Sequence, residues 1–96
     1  MKKIIWSPEA ENDYEENINY LLKDWSIVDA QNFIDEVEAT LILLQKFPEM
    51  YPLSTYKHVR KGVICKQISL LYRINHNNIE LLRFWGTRQD PVKLKI

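Results

Sequence analysis

Lys23-Asp24-Trp25-Ser26-Ile27-Val28-Asp29-Ala30 is the stretch from which the architecture can be worked out. Ser26, followed three residues later by Asp29, has the form of a capping box with an acidic partner, a device that satisfies free N–H groups where a helix begins. A helix therefore restarts here after a very short turn. Upstream, Ala10, Tyr14, Ile18, Leu21, Leu22 and Trp25 recur at spacings of three and four and form one apolar stripe on a helix over residues 8–24. Ser7 is placed to cap it and Pro8 to occupy its first turn. Glu9, Glu11 and Asp13 lie in its first turns and complement the helix dipole. Downstream, Ile27, Ala30, Phe33, Ile34, Val37, Leu41, Leu44 and Phe47 form the apolar side of a second helix, which Pro48 ends. Two helices joined so tightly make an antiparallel αα-hairpin whose acids face water.

Outside the hairpin the pattern is β-rich. Ile4, Ile5 and Trp6 read as a short first strand, and 49–56, with Pro52 inside it, as loop. Three further strands are predicted at Val59–Lys66, Leu70–Asn75 and Ile79–Trp85, with a tight turn at His76, Asn77 and Asn78 in which Asn tolerates positive φ. The apolar side of the hairpin needs a second layer. The expected fold is therefore α+β, two layers in the order β-α-α-β-β-β, an antiparallel sheet packed against the αα-hairpin, one domain over residues 1–96. Alternation puts Leu71 and Arg73 on one side of their strand and Leu70, Tyr72 and Ile74 on the other.

The zero formal net charge hides a division. Residues 1–53 carry four basic and eleven acidic groups, and residues 54–96 carry nine basic and two acidic, a polarity of −7 against +7. Such asymmetry points to an anionic partner for the basic half, either nucleic acid or an acidic protein surface. Arg60, Lys61, Arg73, Arg83 and Arg88 are the candidate anion-binding strip, since arginine forks match phosphates and carboxylates alike. The plain alternative is that strand cations keep sheet edges soluble.

Other classes lose their signatures. Cys65 is the single cysteine, so no internal disulfide or Cys-x-x-Cys pair exists, and it reads as a small core residue in a reducing compartment. His58 and His76 read as turn and strand-edge residues, and no metal or cofactor is expected. Trp6, Trp25 and Trp85 are expected to pack at layer edges. Walker, Gly-x-Gly-x-x-Gly and Gly-x-Ser-x-Gly motifs are absent. No stretch approaches the roughly 20 apolar residues of a membrane span, and no signal peptide is read at the start, so a cytoplasmic protein without membrane contact is expected.

Three features resemble the RelE/ParE superfamily of toxins: the acidic hairpin opening on Trp6-Ser7-Pro8-Glu9-Ala10, the strand Leu70-Leu71-Tyr72-Arg73-Ile74, and the ending Leu81-Leu82-Arg83-Phe84-Trp85-Gly86-Thr87-Arg88-Gln89-Asp90-Pro91. The resemblance implies a type II toxin-antitoxin toxin in a hetero-oligomer with a cognate antitoxin whose largely disordered segment folds over it. Two mechanisms are implied by the superfamily. ParE-like members inhibit DNA gyrase, whereas RelE-like members cut messenger RNA on the ribosome. The long acidic hairpin and the carboxy-terminal segment look closer to the ParE-like branch. On the ribonuclease alternative, Lys66, Arg73 and Arg88 would be the catalytic candidates, Arg73 resembling the strand arginine of the family ribonucleases. The stretch after Trp85 lacks the tyrosine or histidine that those members often carry.

Overall fold

The computed structural model describes residues 2–66, 68–86 and 88–96, with Pro91 described in its backbone only. Thr87 of the terminal motif lies outside the described residues. The elements are β1 (Lys3–Trp6), α1 (Pro8–Asp24), α2 (Ile27–Lys46), β2 (Arg60–Cys65), β3 (Ile68–Asn75), β4 (Asn78–Gly86) and a 3-10 turn (Pro91–Lys93). Both helix starts form as their caps require. Ser7 Oγ accepts from the Ala10 N–H at 2.9 Å, and Ser26 Oγ accepts from the Asp29 N–H at 3.1 Å while donating to its carboxylate at 2.7 Å.

The sheet order is β1-β4-β3-β2. β2, β3 and β4 form the antiparallel meander, but β1 runs parallel to β4, so the sheet is mixed rather than wholly antiparallel. The reason lies in the connection. After β1 the chain crosses the whole hairpin and the meander before reaching β4, and this crossover lets the first strand join alongside the last in the same direction. The helices cover one face, where Phe33, Val37, Leu44, Leu70, Tyr72, Ile79, Leu81 and Phe84 close the core. Trp6, Tyr14, Phe33 and Phe84 form a ring cluster at its centre, with centroids 5.2–6.2 Å apart.

Several side chains depart from the sequence expectation. Positive φ at the β3–β4 turn falls on His76 (φ 55°), not on an asparagine, and His58 (φ 60°) has the same conformation before β2. Ile27 and Phe47, on the apolar pattern of α2, are exposed because each sits at a helix end beyond the sheet, and Trp25 at the C-cap of α1 is exposed as well.

β4 does not keep a period of two. Leu71 pairs with Arg83 while Tyr72 pairs with Leu81, which leaves Leu82 as an extra residue in a β-bulge. Buried positions accordingly move from Ile79 and Leu81 to Phe84 and Gly86. Without the bulge, alternation would aim Arg83 into the core beside Leu81. With it, Arg83 and Trp85 share the face away from the helices.

Candidate functional site: a cleft on the open face of the sheet

The face away from the helices holds a cleft of about 750 Å³. Its floor is Ser69, Leu71 and Trp85, one wall is the 53–56 loop with Leu53 and Tyr56, and the other is the carboxy-terminal segment at Gln89 and Leu94. Leu71 points away from the core yet is 2% exposed, because these walls stand over it. Residues 52–56 are tied to the chain entering β2 by the Lys61 N–H donating to Pro52 O and the Ser54 N–H donating to Val59 O. On the opposite wall, Gln89 Oε1 accepts the Gly86 N–H at 2.6 Å and the Arg83 guanidinium donates to Lys95 O at 3.1 Å.

Among the described residues, Lys61 is the only charged one lining the cleft, and it has no ion pair. The Trp85 indole N–H is buried with no partner among the described residues, and the Arg83 guanidinium lies 4.9 Å from the Trp85 ring centroid. The site therefore offers an apolar floor, one free ammonium and one unused donor.

The other cations of the expected strip are distributed differently. Arg83 is held by Asp13 of α1 in a bidentate pair, Nε to Oδ2 at 2.6 Å and Nη2 to Oδ1 at 2.9 Å. Donating these hydrogen bonds to Asp13 raises the Arg83 pKa above its ordinary value. Arg73 pairs across the strands with Glu80 at 2.7 Å, an exposed bridge that holds the Glu80 carboxyl below the usual range, helped by Asn75. Arg60 lies opposite Tyr72 and so faces the helix side, where it donates to Tyr51 O at 2.7 Å. Arg88 stacks 4.3 Å over the Tyr20 ring of α1. Lys66 follows β2 in the turn to β3. The structure thus leaves Lys61 at the cleft with Arg83 beside it, and puts Arg60, Lys66, Arg73 and Arg88 elsewhere.

Asp13 and Asn17 are the residues that sequence reading missed. Beyond Leu81, no strand among the described residues pairs with β4 on its β1 side, and side chains of α1 and its N-cap take that place. Asp13 Oδ2 accepts the Phe84 N–H at 3.1 Å, Asn17 Nδ2 donates to Phe84 O at 3.1 Å, and Ser7 Oγ donates to Leu82 O at 3.0 Å. A signal existed. Asp13 and Asn17 fall at three- and four-residue spacings on the Ala10–Tyr14–Leu21 stripe, and polar residues on a buried stripe need partners.

A four-stranded mixed sheet backed by two helices is the α+β fold of the RelE/ParE toxin structures. Residues 4–91 match the family described as the ParE toxin of type II toxin-antitoxin system, parDE, and the chain belongs to that family. The sequence has no significant match among curated proteins. Among solved structures it is similar to the chromosomal ParDE system from P. aeruginosa, with TM-score 0.75 and 17% identity over 90% of this chain and 96% of that one. It is also similar to the YoeB dimer from Staphylococcus aureus (TM-score 0.64, 15% identity, 88% and 94% covered). A third likeness is to the E. coli DinJ-YafQ complex (TM-score 0.61, 14% identity, 92% and 96% covered). At these identities the likeness is one of fold.

Proposed function

We propose that this protein is a ParE-like toxin that acts by inhibiting DNA gyrase and is neutralised by a cognate antitoxin, in the cytoplasm. One observation carries the choice of an inhibitor over a ribonuclease: the cations nominated for RNA cleavage do not converge. Acid-base cleavage of RNA needs a base, an acid and phosphate-stabilising cations around a single phosphorus. Arg73 is engaged by Glu80 toward the β3–β4 turn, whereas Lys66 lies past the other end of β3. The five steps along β3 from Ile68 to Arg73 alone span ~17 Å of strand. Arg88 is occupied by Tyr20. Both histidines are exposed in turns, and neither lines the cleft.

An inhibitor needs only a shaped surface, and the cleft supplies one suited to a peptide. An apolar side chain fits against Leu71 and Trp85, and Lys61 meets a carboxylate, the two requirements of an amphipathic acidic antitoxin segment. No helix among the described residues is long and apolar enough to cross a membrane. The family match to a type II toxin-antitoxin toxin, the similarity to the chromosomal ParDE TA system and the two-protein DinJ-YafQ complex support an antitoxin as partner.

The test uses purified, antitoxin-free protein in a gyrase supercoiling assay and, in parallel, in a translating extract read for message cleavage. Inhibition of supercoiling with intact messages is expected. Unaffected supercoiling at micromolar protein together with cut messages would replace this reading by the ribonuclease one.

A further inference from the structure

The turn of the helical hairpin carries an apolar surface that the fold does not use. Leu22, Trp25, Ile27 and Val28 are 48%, 53%, 76% and 67% exposed. All four lie within one helical turn of the junction between α1 and α2, so they form one patch rather than scattered contacts. Single exposed hydrophobes need no explanation, but a contiguous group of large ones marks an interaction site. Trp25 is also fixed in place. Its indole N–H donates to Tyr20 Oη at 3.1 Å, and the Tyr20 ring is in turn covered by the Arg88 guanidinium. A half-exposed tryptophan tied by its indole N–H and close in sequence to exposed aliphatic residues has the composition of an interface anchor.

The charge around the patch identifies what it accepts. Pro8–Lys46 contains ten acidic and two basic residues, and of the ten acids only Asp13 makes an ion pair among the described residues. Asp24 adjoins Trp25. Glu15, seven residues before Leu22, shares its face of α1, and Asp35, seven after Val28, shares its face of α2. Lys23 at the junction and Arg88 over the Tyr20 ring are the cations beside the patch, fewer than the acids Glu15, Asp24, Asp29 and Asp35 along the two helices. The surface is thus apolar at the centre and negative at the rim. Nucleic acid and anionic lipid have the wrong sign for it.

We propose that the hairpin tip is a docking surface for a cationic amphipathic helix of a partner protein. Such a helix presents apolar anchors at i, i+3 and i+4 to Trp25, Ile27 and Val28, and its lysines or arginines to the rim acids. This surface lies in the helical layer, apart from the cleft, and does not depend on gyrase being the target.

The probe is a synthetic 14-residue helix of leucine and lysine, with a leucine and glutamate counterpart and phosphatidylglycerol vesicles as the other arms. Binding to the full chain is followed by calorimetry and by the blue shift of tryptophan emission, at low and high salt. The lysine peptide is expected to bind at least about tenfold tighter than the glutamate peptide and to weaken as salt rises. Ile27→Ser/Val28→Ser is expected to lower its affinity about tenfold or more. Both residues begin α2 and are largely exposed, so the melting temperature should hold, and Trp25→Ala gives a second variant should the helix start loosen. Ile42→Ser, at an exposed apolar position near the other end of α2, should leave binding unchanged. Equal binding of the two peptides, equal binding by the tip variants, or binding to vesicles but not to the lysine peptide would overturn the proposal.

Discussion

Replacing Asp13 by alanine tests the account of how α1 completes the sheet. The Asp13 carboxylate is 2% exposed as a residue and accepts three hydrogen bonds, two from Arg83 and one from the Phe84 N–H. Removing one partner of a buried ion pair costs about 3–5 kcal/mol, because the remaining charge stays desolvated. Arg83 retains 17% side-chain exposure, so water recovers part of its solvation, while the Phe84 N–H loses its acceptor outright at about 1–3 kcal/mol. These contributions overlap, and a net loss of about 3 kcal/mol is expected, a large share of the ~5–15 kcal/mol that holds a domain of this size together. With a urea slope of roughly 1–3 kcal/mol per molar, the unfolding midpoint falls by about 1–3 M at unchanged slope. Asp13→Leu/Arg83→Met should regain roughly half of this loss, since an apolar pair of similar volume carries no stranded charge. A deficit of about 1–2 kcal/mol should persist, because the Phe84 N–H is unpaired in that variant too. The expected readout is equilibrium urea unfolding followed by circular dichroism. A midpoint shift below about 0.3 M for Asp13→Ala, with the slope unchanged, would refute the reasoning.

Three further outcomes follow from the structure. Glu80→Gln should cost no more than about 1 kcal/mol near neutral pH, because its bridge to Arg73 is exposed. Since folding lowers the Glu80 pKa, the bridge's contribution is present above the unfolded value and is lost as pH falls through the folded one, so wild type and variant should converge in urea unfolding as the pH is taken below the ordinary glutamate range. Gly62→Ala would put a Cβ 2.4–2.5 Å from the Tyr51 ring, including its Cγ. The whole ring would have to move, and a loss of about 1–3 kcal/mol, read as a fall of roughly 5–20 °C in melting temperature, is expected. Tyr72 is buried and its hydroxyl donates to Pro48 O at 2.7 Å, and burial raises its pKa above the ordinary value. Its contribution is therefore complete below about pH 10 and is lost as pH rises further, so Tyr72→Phe should be less stable by about 1–2 kcal/mol at neutral pH, with a shallower alkaline decline in thermal melts.

Much of the fold was legible along the chain, because caps and periodicity are local. Ser7-Pro8 and Ser26 with Asp29 define where the helices start, and both caps formed as their chemistry requires. The three-and-four spacing identified the hairpin, and alternation on β3 correctly separated Leu71 and Arg73 from Leu70, Tyr72 and Ile74. The candidate site was less legible. Arg73 and Lys61 were assigned to one strip by charge alone, but a guanidinium opposite Glu80 and an ammonium with no carboxylate in reach are different chemical objects. Trp25 and Ile27 fit the apolar spacing of their helices, yet the sheet ends before it can cover them.

Local chemistry along the chain therefore specifies the set of elements, their order, and the sign of charge on each half. Each depends on neighbours a few residues apart. The tertiary structure alone decided that β1 runs parallel to β4, that Leu82 bulges and turns Arg83 out of the core, and that Asp13 meets Arg83 across seventy residues. Strand direction, register and long-range ion pairs are set by which surfaces meet when the layers close, and no spacing along one chain records that.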